Sequence, residues 1–566
     1  MVRSRRIVMG ICAALGALAW PVAQAVEYVN LKPLTQVVGV PVGTVAAGPV
    51  QVPVITWGGD IATVHANGNA AITASGSLFG KRGLNLKLAR EDIFSKQLEA
   101  YLSGRSPYLR GTLGMINMAA EVASRDPRTK PVVVYQMTWS AGGDALVVKS
   151  NIKTVKDLRG KSIAVQAYGP HVDYLTKILA DGGLTPKDVV IKWVPDLTGT
   201  KSAPGAALHE ASVDAAFVIT PDALALTSNG SVGTGAEDSV KGARILLSTK
   251  TANRIIADVY AVRSDYLQSN RAAVEKFVQG LVEGERSLRD LVAKKSTRSA
   301  EYKAAMTAAA TLLLDSAQAV ADAEGLYADA HFVGAAGNAA FFNDKKNARG
   351  LDALNREIQD SFASLGLLGS RVPLASAGLD FGAEAATPAP RFDTAQLAGV
   401  IAKKQSQGRL NEGELFSFEV LFKPNQDQFS AELYADAFKR VASLAATYGG
   451  AVITVEGHSD PMGYLRAKRD GATPVVLTRT QQSAKNLSVS RAIAVRDGVI
   501  AYAKAQGISL DPSQFAVVGH GIGQPKTGVC GGDPCAPSSE QAWLSNMRVE
   551  FRLIQIEAEA SAFKPL

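Results

Sequence analysis

Between Gln51 and Leu368, short apolar runs rich in β-branched residues alternate with stretches of helical period. "VPVITW", "PVVVYQM", "SIAVQAY", "DVVIKWV" and "VDAAFVI" read as buried strands. "DIFSKQLEAYLSG" and "HVDYLTKILADGG" place apolar residues three and four apart and read as helices. That alternation predicts an α/β fold with a mostly parallel sheet. From Asn270 to Leu367 the pattern is mainly helical.

Gly369 to Asp393, rich in Ala, Gly and Pro, has no sustained period and reads as the start of a linker. Regularity returns near Leu415. "LFSFEVLF", "AVITVEG", "QFAVVGHG" and "MRVEFRLIQI" read as strands, with two helices between them, "AELYADAFKRVASLAATYG" and "NLSVSRAIAVRDGVIAYAKAQG". The expected division is residues 1–25 export signal, 26–50 lead-in, 51–368 large domain, 369–413 linker, and 414–566 a small α+β domain of βαβαβ type.

Composition narrows the class. At 566 residues the chain exceeds one core. Its 47% hydrophobic and 20% charged residues are those of an ordinary globular protein. The formal charge of +8 includes Arg3, Arg5 and Arg6, and no Lys/Arg block points to nucleic acid. "MVRSRR", a short apolar core and "AQA" at Ala23 to Ala25 make an export signal with cleavage expected after Ala25. The residues before Cys12 make a poor lipobox. Export permits a disulfide, and Gly-Gly-Asp-Pro between Cys530 and Cys535 is turn chemistry that brings the two sulfurs together. No metal site, cofactor or catalytic residue is expected. G-x-S-x-G, H-E-x-x-H and zinc-spaced Cys/His sets are missing from the sequence.

"IKTVKDLRGKSIAVQAYGPHVDYLTKILADGGLTPKDVVIKWV", "SLFGKRGLNLKL", "ASVDAAFVITPDA" and "VYAVRSDYLQSNRAAVEKFVQGLVEG" resemble the nitrate/sulfonate/taurine group of periplasmic solute-binding proteins. The resemblance implies a two-lobed periplasmic-binding-protein fold with a solute in the interlobe cleft and an ABC permease as partner. Ligands of open α/β sheets sit beyond the carboxyl ends of strands. The candidate contacts are therefore Trp57, Asp60, Thr138, Trp139, Tyr168, His171, Thr220 and Asp222. Asp60, Asp144 and Asp222 argue against a plain anion pocket.

In the C-terminal part, "VEGHSDPMG", "LSVSRAIAVRDGVIAYAKAQGI", "FAVVGHGIGQP" and "NMRVEFRL" resemble, in order, the motifs of the OmpA-like peptidoglycan-binding domain. That resemblance implies a non-covalent hold on diaminopimelate: Asp460 for its ammonium and Arg491 for its carboxylate, with Asn546 and Arg548 lining the site. Arg491 is expected in the first turns of its helix, where the dipole helps, with Ser488 placed as its N-terminal cap. His458 and Ser459 are expected to fix the loop by hydrogen bonds. The insertion "YLRAKRDGATPVVLTRTQQSAK" reads as a solvated loop, and Met547 stands where the family has an Arg. The combined expectation is an exported receptor in the periplasm, held to the cell wall or outer membrane of a Gram-negative-type envelope. The alternative is an interaction protein whose large domain binds an envelope protein instead of a solute.

Overall fold

The computed structural model describes residues 25–382, 394–407, 414–423, 431–508, 510–530 and 533–554. The export signal lies outside them except for Ala25, as do parts of the linker.

The N-terminal part has two five-stranded sheets and one two-stranded sheet among the described residues. Strands β1 (Val50–Val54), β2 (Leu86–Arg90), β3 (Tyr108–Thr112) and β4 (Pro131–Ser140) open the first lobe. Helices α1 (Gly58–Ala66) and α2 (Leu113–Ala123) follow β1 and β3. The chain then crosses to β5 (Asp144–Val148), β6 (Ser162–Gln166), β7 (Val190–Val194), β8 (Ala215–Ile219) and β9 (Arg244–Ser248). These form a second sheet in the order β7-β6-β8-β5-β9, with α3 (Val172–Asp181) after β6 and α4 (Thr220–Leu226) after β8. The chain returns through β10 (Ala257–Arg263), the long helix α5 (Arg271–Ala293), β11 (Ala330–Phe332) and β12 (Ala375–Ser376). The first-lobe sheet runs β11-β4-β10-β3, with β12 beside β4.

Apolar pattern explains the buried elements. All ten residues of β4 are buried, as its β-branched run requires. Helix α5 buries Val274, Phe277, Leu281, Gly284, Leu288 and Leu291, which recur every three or four residues along one face. Helix α2 starts where the Thr112 hydroxyl accepts from the Met115 N–H at 3.1 Å.

The sheets are mixed, not mostly parallel. β10 pairs antiparallel with β3 and β4, and β5 pairs antiparallel with β8 and β9. The physical reason is the double crossing: β4 leads into β5 and β9 leads into β10, so the connecting strands meet their neighbours running the other way.

The C-terminal part forms a four-stranded sheet, β13 (Glu414–Leu421), β14 (Val452–His458), β15 (Phe515–Gly521) and β18 (Arg548–Ile554), in the order β13-β18-β14-β15. The two-residue strands β16 (Val529–Cys530) and β17 (Asp533–Pro534) make a separate ribbon, bridged by the Cys530–Cys535 disulfide. Leu374 and Leu379 are buried on the first lobe, Phe381 stacks on Phe342, and α6 (Thr394–Ser406) lays Leu397 and Ile401 on the small sheet.

Helices α7 (Ala435–Thr447), α8 (Met462–Arg469) and α9 (Pro474–Ala505) also belong to this part. The insertion is therefore helical. Pro474 at the first helical position, after Thr473, starts a 32-residue helix whose first half carries the inserted residues. Ser488 lies inside that helix and caps nothing at its start. Its backbone carbonyl packs so close to β14 that a Cβ on Gly457 would stand 1.8 Å from it.

The two parts also touch. The Tyr448 hydroxyl donates to Asp181 at 2.8 Å, and the Gly450 N–H donates to the Thr251 carbonyl at 3.1 Å. One apolar cluster runs from the second lobe into the small sheet.

Candidate functional site

Four of the expected solute loops end β1, β4, β6 and β8. Trp57 precedes α1, and its indole N–H donates to the Thr138 hydroxyl at 2.9 Å. Thr138 in turn donates to Asp258 at 3.1 Å. The Arg110 guanidinium lies between Asp60 and Asp258, 2.8 and 2.9 Å from their carboxylates, and all three side chains are buried. Burial pushes the Asp60 and Asp258 carboxyls up, and the Arg110 charge pulls both back down. Trp57, Asp60 and Thr138 thus belong to one network, as their shared position at strand ends implies.

Trp139 does not line this space. Adjacent strand residues face opposite sides, and Trp139 packs edge-on against Phe341 with Arg254 over its ring. It is a core residue.

A second network sits where the chain crosses between lobes. The Ser140 hydroxyl donates to Asp144 at 2.6 Å and bonds Thr249 at 2.9 Å. The Thr249 hydroxyl also accepts from the Gly142 and Asp144 N–H groups, tying one crossing to the other. His171, fully buried, bonds Asp144 through Nε2 at 2.7 Å, and its Nδ1 has no partner. Thr220 donates to the Gly142 carbonyl beside the same crossing. Two expected contacts are spent elsewhere. The Tyr168 hydroxyl donates to the Lys32 carbonyl at 2.7 Å, and Asp222 accepts from Thr198 at 3.0 Å. Tyr168 also holds a φ of 60°, a left-handed conformation that a bulky residue keeps only when its surroundings impose it.

The lobes are pressed together. Gly143 faces the Trp57 ring so closely that a Cβ there would lie 2.5 Å from it. A Cβ on Gly114 would lie 2.7 Å from the Asp173 carboxyl carbon. Val172, from the second lobe, is part of the first lobe's core cluster. Asp173 is buried with Oδ2 unpartnered, and burial raises its carboxyl to about 8. Arg110, Asp258 and Asp173 are absent from the sequence-based expectation. "YLRGTLG" carried the usable signal for Arg110: an arginine at a strand end just before a helix cap.

In the small domain, Arg491 is buried on α9, at its eighteenth residue and not in its first turns, so the N-terminal dipole does not reach it. Its guanidinium donates to the His458 carbonyl at 3.1 Å and the Lys423 carbonyl at 3.3 Å, and lies over Phe422. Asp460, two residues beyond His458, is half-buried and accepts from the Met462 N–H at 2.9 Å. The fold therefore brings Arg491 to the loop that carries Asp460. Ser459 fixes that loop as expected, donating to the Ala484 carbonyl at 2.9 Å. His458 does not fix it, because neither ring nitrogen has a hydrogen-bond partner.

Asn546 staples a loop. Its oxygen accepts from the Lys526 and Thr527 N–H groups, and its amide donates to the Thr527 carbonyl. Arg548 bonds Glu550 at 2.5 Å. It alternates with Val549 and Phe551, which face the core shared with α9, so it lies on the opposite side of the sheet from Arg491. Arg548 therefore does not point with Arg491 toward one site.

Residues 78–290 match the family described as NMT1/THI5 like. Among solved structures, the periplasmic aliphatic sulphonate binding protein SsuA from Escherichia coli is 18% identical, with a TM-score of 0.41 over 61% of this chain and 97% of its own. The alkanesulfonate-binding protein SsuA from Xanthomonas axonopodis pv. citri, bound to MOPS, is 19% identical, with a TM-score of 0.39 over 58% and 98%. The desulfurization enzyme DSZB is 17% identical, with a TM-score of 0.35 over 59% and 97%.

Proposed function

We propose that this chain is an exported cell-envelope receptor. Residues 51–368 are a two-lobed solute-binding module of ABC-transporter type. Residues 414–566 are an OmpA-like module that holds the receptor non-covalently to peptidoglycan, in the periplasm of a Gram-negative-type envelope. The work is binding, without bond-making.

The observation that carries this reading is the double crossing between two sheets, pinned at Ser140, Asp144 and Thr249. Such a connection lets two lobes close around a solute at the strand ends. Trp57, Asp60, Arg110, Thr138 and His171 supply an aromatic wall, charge and hydrogen-bonding groups there. Asp173, raised to about 8 by burial, is a neutral acid at physiological pH. A buried neutral acid and paired carboxylates suit a polar neutral or cationic solute better than a simple anion.

The tether rests on the four sequence motifs and on Arg491 reaching the Asp460 loop. Asp460 is the accessible half of the clamp. A ligand carboxylate meets Arg491 once the Phe422–Lys423 backbone gives way.

A second reading, an interaction protein without a small solute, draws on the packed lobe interface, where Val172 and the Trp57 ring fill space between the lobes. A thermal-shift panel separates the two. Amines, amino acids, sulfonates and phosphates are tested against the full chain and Trp57→Ala. The receptor reading expects at least one class to raise Tm in the full chain only. A panel in which no class shifts Tm contradicts it.

A further inference from the structure

Glu456, His458 and His520 stand together near the carboxyl ends of β14 and β15. In β14 the side chains alternate: Val455 packs in the core shared with α9, and Gly457 lies against α9, so Glu456 and His458 share the other face. β15 runs parallel beside β14 and brings His520 to the same place. His520 Nε2 lies 2.9 Å from Glu456 Oε2, and the two imidazoles stack with centroids 4.7 Å apart. One ligand atom from each residue falls within 4.8 Å of the others.

The cluster is dry. The three side chains are 1%, 1% and 3% exposed for Glu456, His458 and His520. The independent sign of a ligand is His458. A buried polar group nearly always finds a hydrogen-bond partner, yet both nitrogens of this ring lack one. The Gln524 backbone is near enough to act on the ring, and Glu550 stands 4.0 Å from Nε2.

The surrounding charge tolerates a cation. Glu414, Glu419, Glu456 and Glu550 are met there by Lys526, Arg548 and Arg552. Arg552 contacts Glu456 at Oε1, 3.2 Å away, which orients the carboxylate and leaves Oε2 toward the histidines. Two imidazoles and one carboxylate oxygen are the donor set of a borderline transition metal, and do not match the all-oxygen preference of calcium or magnesium.

We propose that Glu456, His458 and His520 form a transition-metal site of the zinc class, joining β14 to β15 two residues before the Asp460 loop. Binding draws the three donor atoms in to metal-ligand distance and gives the His458 ring its missing partner.

The test uses the full chain, free of any histidine tag and stripped with a chelator, titrated with Co2+ and then Zn2+. One equivalent of Co2+ is expected to give visible absorption that Zn2+ abolishes. His458→Asn, His520→Asn and Glu456→Gln are each expected to weaken binding at least tenfold. Circular dichroism and Tm verify that each variant is folded, and any one folded variant decides. Absence of a stoichiometric site in the wild type overturns the proposal. So does binding that is unchanged in a folded variant, which would assign the metal to His65, His171, His209 or His331.

Discussion

Arg110 grips Asp60 through both carboxylate oxygens, with Nε 3.1 Å and Nη2 2.8 Å from Oδ2, Nε 3.2 Å from Oδ1, and neither side chain exposed. Asp258 completes the arrangement from β10. Breaking one member of a buried ion network costs about 3–5 kcal/mol because its partners stay buried and unpaired. Arg110→Met is expected to lose that much stability in urea melts, and Arg110→Lys to recover little, since an ammonium does not match the guanidinium fork. A loss below about 1 kcal/mol would show that the network is incidental.

Asp173 makes stability pH-dependent. Its folded carboxyl titrates near 8, raised by burial from 3.8. The unfolded chain releases this proton above about pH 4, while the folded chain keeps it. The stabilisation is therefore complete at low pH and is lost as pH rises toward 8, by at most about 1.4 kcal/mol per unit. Asp173→Asn has no proton to lose. Its stability relative to wild type is expected to climb between pH 5 and pH 8 and then level off. A flat difference across that range contradicts the assignment.

Gly450 sits against the interlobe crossing. A Cβ there would lie 1.8 Å from the Lys250 carbonyl oxygen, which is backbone and cannot swing away. Gly450→Ala is expected to lift the small domain from the second lobe. Calorimetry should then change from one melting transition to two, with the earlier one several degrees lower. A single unchanged transition would mean that the contact carries no coupling.

The pattern of apolar residues carried much of this fold. "PVVVYQM", "SIAVQAY" and "VDAAFVI" become β4, β6 and β8, and "HVDYLTKILADGG" contains α3. Their signals are local, either β-branched runs or helical spacing. The sense of strand pairing was not legible, because β3, β5, β9 and β10 mix polar with apolar residues and pair across long separations. The insertion was misread because Gly471 and Pro474 signal a turn, while the helix after them is held by distant packing of Ala492, Val495 and Val499. Residue type and order placed Trp57, Asp60 and Thr138 at strand ends, where Arg110 and Asp258 join them in one network. Burial could not be read, and it is burial that turns Trp139 into core and Asn546 into a staple.

The claim joining both halves is that the small domain carries the receptor to the cell wall through the Asp460 charge. The direct measurement is cosedimentation of the full chain with purified sacculi, beside Asp460→Asn, which can still accept the Met462 N–H but has no charge. Wild type is expected in the pellet and Asp460→Asn in the supernatant, with an unchanged Tm. Equal pelleting of the two proteins, or no pelleting of wild type, would contradict the account.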